Sequence, residues 1–168
     1  DLALENYLPK DKQYVVIYTL SGSKYIYELA KNIAKKFNAE VINIKSGYYR
    51  TKVDDGITHI MNAGPQEFIS ILDNAVYVIT DSFHGLVFAT IFHKQFFVLK
   101  RHYLIDINNR IQDYLYQIGQ SDKVVSEQKL LECSDEVWDY DSICREINIR
   151  RTASINFLSD ALEKIRVN

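Results

Sequence analysis

Apolar positions along the chain follow two periods, and these predict a repeating order of strands and helices. The first strong pattern is Tyr14–Leu20, a run of β-branched and aromatic residues that is typical of a buried strand. After a Ser-Gly-Ser turn, apolar residues recur at helical spacing, which predicts a buried stripe made of Ile26, Leu29, Ala30, Ile33, Ala34 and Phe37. A second strand is predicted at 40–44, followed by a long polar loop at 45–60.

In the middle of the chain strands and helices again alternate, and a short polar segment separates the strand at 76–80 from the helix after it. A helical face is predicted from Phe68, Ile71, Leu72 and Ala75. The apolar run 76–80 is short enough to be a buried strand, and 96–99 is the next one. Between them, an apolar helix is predicted at 86–92. The pattern as a whole predicts an α/β domain with a mainly parallel sheet.

The last third of the chain has weaker patterns. Apolar residues at 107, 111, 115 and 118 predict a helix that Gly119 ends. Val124 and Val125 indicate a short edge strand. Short helices are predicted within 127–149, and a closing amphipathic helix is predicted from Thr152, with Ile155, Leu158, Leu162 and Ile165 on its apolar face.

A polar cluster lies between the strand at 76–80 and the helix that follows it. It consists of Thr80, Asp81, Ser82, His84 and Gly85. In a parallel α/β sheet, ligands bind beyond the carboxyl ends of the strands, and the next helix directs its free N–H groups to the same place. The cluster therefore predicts an anion site with a titratable histidine. The alternative is that these residues only cap a helix. The Ser-Gly-Ser turn at 21–23 lacks phosphate-loop spacing, and we interpret it as a turn with a helix cap.

Two arginines follow the next predicted elements. Arg101 comes after the strand that ends at Leu99, and Arg110 lies near the start of the helix after it. A guanidinium matches the geometry of carboxylates and phosphates, so Arg101 is a candidate anion contact. Simple solvent exposure is an equal alternative for it.

Composition excludes several classes of function. The formal net charge is −2, which gives no reason to expect a nucleic-acid partner. No apolar run is long enough for a transmembrane segment. The two cysteines, Cys133 and Cys144, lack metal-ligand spacing, so no metal site is predicted.

Two blocks of sequence carry a resemblance to a known family. GPQEFISILDNA and the following VITDSFHGLVFATIFHKQFFVL resemble the polysaccharide pyruvyl transferase family. The resemblance implies a Rossmann-like, three-layer α/β/α domain, which is the C-terminal half of a GT-B-like two-domain architecture. It assigns 14–168 to this domain and 1–13 to a linker or interdomain segment. The N-terminal domain of the same protein would then be the partner of this one.

The resemblance also implies a reaction. Members would transfer pyruvate from phosphoenolpyruvate to a sugar of a surface polysaccharide precursor, as a ketal, with no cofactor beyond this donor. The acceptor would be a glycan or a lipid-linked sugar. The protein would be cytoplasmic, with peripheral attachment at the inner membrane face as a further option. His84 would be the general acid or an anion ligand, and the substrate-binding residues would be Asp81, Ser82, Gly85, Arg101, Arg110 and Glu67.

One departure from the family leaves alternatives open. Some relatives have an arginine at the position of Ser82. If that arginine holds the donor carboxylate, then Arg101, Arg110 or a residue of the missing half replaces it here, or the donor differs. A GT-B-type glycosyltransferase with a nucleotide sugar is a second hypothesis. It expects a ribose-binding glutamate after the His84 loop, and the sequence has none there. A non-catalytic binding domain is the third.

Overall fold

Six stretches of the chain are described by the structure. A computed structural model describes residues 13–20, 24–45, 56–99, 105–121, 124–125 and 137–166. Apart from Gln13, the predicted linker at 1–13 lies outside these stretches, and so does Arg101.

Strands and helices alternate along the described residues. The strands are β1 (Tyr14–Tyr18), β2 (Glu40–Ile44), β3 (Thr58–Ile60), β4 (Tyr77–Thr80), β5 (Gln95–Leu99) and β6 (Val124–Val125). The helices are α1 (Lys24–Phe37), α2 (Pro65–Asp73), α3 (Phe83–Ile91), α4 (Ile105–Gln117) and α5 (Tyr140–Arg166).

The strands form one parallel sheet in the order β3-β2-β1-β4-β5-β6. Along the chain, β2 and β3 are added on one side of β1. The next strand, β4, is added on the other side of β1, followed by β5 and β6. This reversal is the topological switch point of a doubly wound fold, where ligands bind beyond the strand ends. The register pairs Tyr18 with Thr80, so the ends of β1 and β4 are side by side.

Helices cover both faces of the sheet because neighbouring strand residues point to opposite sides. Val15 and Ile17 face α1, whose predicted apolar stripe is buried against them except at Phe37, which is 44% exposed. Val16, between them in sequence, belongs to the core on the other face, with side chains of α2, α3, α4 and the start of α5. The predicted three-layer α/β/α arrangement is confirmed.

The segment 45–60 contains a strand that the hydrophobic pattern did not predict. Thr58, His59 and Ile60 form β3 at the edge of the sheet, paired with β2. Three residues are too few to show an alternating period, and only one of the three is strongly apolar. An edge strand of this length is identified by its pairing with β2 and not by its sequence pattern.

The helix after β4 begins earlier than its apolar run suggests. α3 starts at Phe83 rather than Leu86, with Ser82 as its extended N-cap residue. The first helical bond runs from the Leu86 N–H to the Ser82 carbonyl at 3.0 Å. His84 and Gly85 therefore lie in the first turn of a helix, not in the loop before it.

The closing helix is also longer than predicted. α5 starts at Tyr140, not at Thr152, and runs for 27 residues. Its start is fixed on β5, since the Trp138 indole N–H donates to the Phe96 carbonyl at 2.8 Å and Ile143 is fully buried. Within the described residues, no helix has both the length and the apolar character needed to cross a membrane.

Candidate functional site

The loops that leave β1 and β4 meet at the switch point of the sheet, and Thr80 fixes their geometry. Its side chain is completely buried. The Thr80 hydroxyl donates to the Tyr18 carbonyl at 2.7 Å and accepts from the Ser82 N–H at 3.0 Å. One hydroxyl therefore satisfies a carbonyl at the end of β1 and an amide at the start of α3, which holds the two loops in register.

Asp81 makes a second connection between these loops. It is fully buried, and its Oδ1 accepts a hydrogen bond of 2.8 Å from the Leu20 N–H. Asp81 is one of the residues predicted to bind substrate. In the structure its carboxylate accepts from the backbone after β1. The position fits a residue that shapes the loops.

Loss of the Asp81 carboxylate is expected to loosen this junction. Asp81→Ala should lower the free energy of unfolding by about 1–3 kcal/mol, because a charge-assisted bond is lost where the side chain is buried. Asp81→Asn keeps an oxygen acceptor toward Leu20 and should be less harmful. Urea denaturation of both variants gives the comparison. Equal stability of the two would show that the bond to Leu20 does not hold the loops.

Gly85 lets α3 approach the strands closely. A Cβ at this position would overlap the Thr80 hydroxyl and would lie 3.0 Å from Thr80 Cβ and from Tyr18 Cδ1. Ser82, at the N-cap, is 3% exposed. The amino end of α3, with its free N–H groups and positive dipole end, is thus brought to the ends of β1 and β4.

His84 is the exposed polar residue of this cluster. It occupies the second position of α3, and its side chain is open to solvent, in contrast to Asp81 and Ser82. Its ring lies edge-on to Phe83, with 6.1 Å between the centroids. An exposed imidazole at a helix amino end can reach a bound ligand and exchange a proton with it.

Arg110 reaches the same helix end from α4. Its guanidinium carbon lies 5.4 Å from the centre of the Phe83 ring, which is a cation–π contact. Phe83 also packs edge-on against Tyr114 of α4, at 5.9 Å. The structure therefore brings Arg110 to the residue next to His84, although 26 positions separate the two in sequence.

Glu67 is near the switch point on another helix. It is the third residue of α2, and its Oε2 would be 2.6 Å from a Cβ on Gly64, so the carboxylate folds back over the start of its own helix. The adjacent Phe68 packs against Tyr18 at the end of β1, with ring centroids 4.8 Å apart. This places the α2 segment beside the switch point, with the Glu67 carboxylate turned to its own amino end.

Two residues of the site were absent from the sequence predictions. Phe83 lies within the sequence block that carries the family resemblance, but neither Phe83 nor Tyr18 has a charge that would mark it as a site residue, and only tertiary contacts reveal their positions. Across the described stretches, no three or more His, Cys, Asp or Glu side chains are grouped so that they could hold a metal ion.

Solved structures share this fold. UDP-GlcNAc 2-epimerase from Methanocaldococcus jannaschii is similar with a TM-score of 0.56 at 16% identity, over 90% of this chain and 48% of that one. The glycosyltransferase SnogD from Streptomyces nogalater is similar with a TM-score of 0.51 at 12% identity, over 83% and 39%. The chain therefore spans less than half of these GT-B enzymes, and its fold is that of one of their two Rossmann-like halves.

Sequence comparison gives the family. No curated protein matches the chain. The family model described as polysaccharide pyruvyl transferase matches residues 3–103, which include β1 to β5, the polar cluster and α2 with Glu67. Arg110 lies beyond the matched segment. Since the match covers more than half of the 168 residues, the chain belongs to the polysaccharide pyruvyl transferase family.

Proposed function

We propose that the protein transfers pyruvate from phosphoenolpyruvate to a sugar of a surface polysaccharide precursor. Membership of the family supports a transferase. The observation that carries the proposal is the position of His84, exposed in the first turn of α3 while Asp81 and Ser82 beside it are buried. A proton donor and a helix amino end are then presented together at the switch point of the sheet.

The reaction would require three things of the site. A proton is added to the methylene carbon of phosphoenolpyruvate, which becomes the methyl group. Two sugar hydroxyls bond to the neighbouring carbon, and the phosphate leaves with its bridging oxygen. Of the two protons lost by the hydroxyls, one balances the proton given to carbon and the other leaves with phosphate. In this scheme His84 is the acid that protonates the methylene carbon.

The donor carries a carboxylate and a phosphate, so the site must also supply positive charge. The N–H groups of the first turn of α3, including that of Gly85, can receive one anionic group. Arg110 can receive the other, because its guanidinium lies over Phe83 at this helix end. Ser82 is buried and neutral, and among the described residues Arg110 is a candidate replacement for the arginine found at that position in some relatives.

The acceptor would be held largely by groups outside this domain. The similar GT-B structures are more than twice as long as the aligned chain, which fits a cleft shared by two lobes. We assign the acceptor, a glycan or lipid-linked sugar, to the cleft between this domain and an N-terminal one. The carboxyl end of the sheet, with His84, would form one wall.

The test is a donor assay on the natural full-length protein. Phosphate release from phosphoenolpyruvate is measured in the presence of sugar acceptors. The pyruvate ketal product is identified by mass spectrometry and NMR. Ketal formation would support the proposal. Turnover of a UDP or CDP sugar with phosphoenolpyruvate left intact would replace it with glycosyl transfer, for which the GT-B fold is equally suitable.

A further inference from the structure

Phe83 contacts several residues of the candidate site at once, and it also packs against the core. It is half-buried at the first position of α3, with its ring beside His84, Tyr114 and Arg110. Tyr114 lies one turn after Arg110 on α4, so α4 contacts Phe83 at two successive points of one helix face. The ring is the surface through which α4 meets the amino end of α3.

The backbone of α4 is held firmly where Arg110 projects from it. Ile111 and Leu115 are buried in the core at 2% and 0% exposure. Arg110 itself is exposed, so its long side chain has many possible rotamers. An aromatic face that attracts the guanidinium reduces this freedom and selects the conformation that points to the start of α3.

The positive charge of Arg110 would help to bind an anionic ligand at the amino end of α3. In the described part of α3 the first turn contains no acidic residue, and the N-cap is a neutral, buried serine. An anionic ligand at this helix end would meet backbone N–H groups and His84, but no arginine from residue 82. Among the described residues, Arg110 brings a guanidinium to this end through its contact with the Phe83 ring.

We infer that Phe83 is a positioning residue that holds the Arg110 guanidinium at the amino end of α3, where Arg110 binds an anionic group of the donor. The inference rests on the proposed function for the identity of the donor. It also explains how the site can bind an anion with a serine at position 82. The Phe83 ring on α3 holds an arginine of α4 near the place where some relatives have their own arginine. The competing explanation is that Phe83 only fills space between the two helices.

The two explanations predict different KM values for phosphoenolpyruvate when substitutions of Phe83 and Arg110 are combined. We compare Phe83→Leu, Arg110→Gln and the double variant, with Phe83→Tyr to retain the ring and Arg151→Gln of α5 as a control for the loss of one charge. Arg110→Gln should raise the KM for phosphoenolpyruvate about 10- to 100-fold, because a charge-assisted contact is lost. Phe83→Leu should raise it about 3- to 10-fold through weaker placement of the guanidinium.

The double variant is decisive. If Phe83 acts through Arg110, the double variant should have a KM within about 2-fold of Arg110→Gln alone. Independent, multiplied effects would overturn the inference, and so would an unchanged KM in Arg110→Gln. Phe83→Tyr and Arg151→Gln should stay close to the parent protein. The side-chain protons of Arg110 should also lose their ring-current shift in Phe83→Leu, and an unaltered shift would count against the contact.

Failure of the proposed function can be separated from failure of this inference. If the parent protein does not turn over phosphoenolpyruvate, the same variants are titrated with inorganic phosphate as the probe. Weaker phosphate binding in both single variants, without further loss in the double variant, would sustain the role of Phe83 while the donor assignment fails. Phosphate binding that is undetectable in the parent, or insensitive to Arg110→Gln, would overturn the role as well.

Discussion

Replacement of His84 by asparagine is expected to lower kcat for pyruvyl transfer by about 10²- to 10⁴-fold, the range typical of a lost general acid. Asparagine keeps a polar side chain of similar reach but cannot deliver a proton to carbon. The KM for phosphoenolpyruvate should change much less, because the helix amino end and Arg110 remain. Steady-state kinetics of the full-length protein measure both quantities.

Stability provides the control for this experiment. His84 is exposed, so His84→Asn should unfold at nearly the same denaturant concentration as the parent protein. Turnover that survives the substitution within a few-fold would remove His84 from the catalytic step. A large rise in KM with unchanged kcat would instead make it a ligand for the donor.

Substitution of Gly85 by alanine is expected to be the most damaging single-methyl change in the candidate site. The new Cβ would overlap the Thr80 hydroxyl and press on the Tyr18 ring, and both neighbours are held by the sheet. We expect a loss of about 3 kcal/mol in the free energy of unfolding, at the upper end of typical overpacking costs. The displaced helix should also weaken donor binding.

Gly64 offers a matched control for Gly85→Ala. A Cβ at Gly64 would meet the end of the Glu67 side chain, which can move away, and its backbone angles suit alanine. Gly64→Ala should therefore stay within about 1 kcal/mol of the parent protein. Thr80→Ala should partly rescue Gly85→Ala by removing the overlapped oxygen. Chemical denaturation of this set would refute the steric explanation if Gly64→Ala and Gly85→Ala were equally harmful.

Most of the fold could be predicted from the sequence because its strands and helices have strong periods. The buried run of β1 and the helical stripe of α1 are long enough to identify each element. The order of these elements then indicates a parallel sheet, whose carboxyl edge receives the polar cluster after β4. The three-residue β3 has no such period, and its pairing with β2 defines it.

The internal geometry of the site was less accessible to sequence reasoning. The apolar run of α3 starts at Leu86, but the helix begins three residues earlier, because the Ser82 carbonyl accepts the first helical bond and Gly85 fits against Thr80. Equally, no local pattern separates a carboxylate that binds ligand from one that holds a loop, as Asp81 does through Leu20. The contact of Arg110 with Phe83 depends on how two helices pack, which spacing does not encode.

The long helix α5 has two energetically different parts. Ile143 in its first turns is buried, whereas Leu158, Leu162 and Ile165 near its end are 58%, 63% and 72% exposed. Tertiary packing by the described residues supports the first turns only, and an isolated helical segment of some 15 residues is marginal in water. For the described residues taken alone, the boundary of the cooperatively folding unit therefore falls inside a continuous helix, and its last turns would fray independently of the sheet.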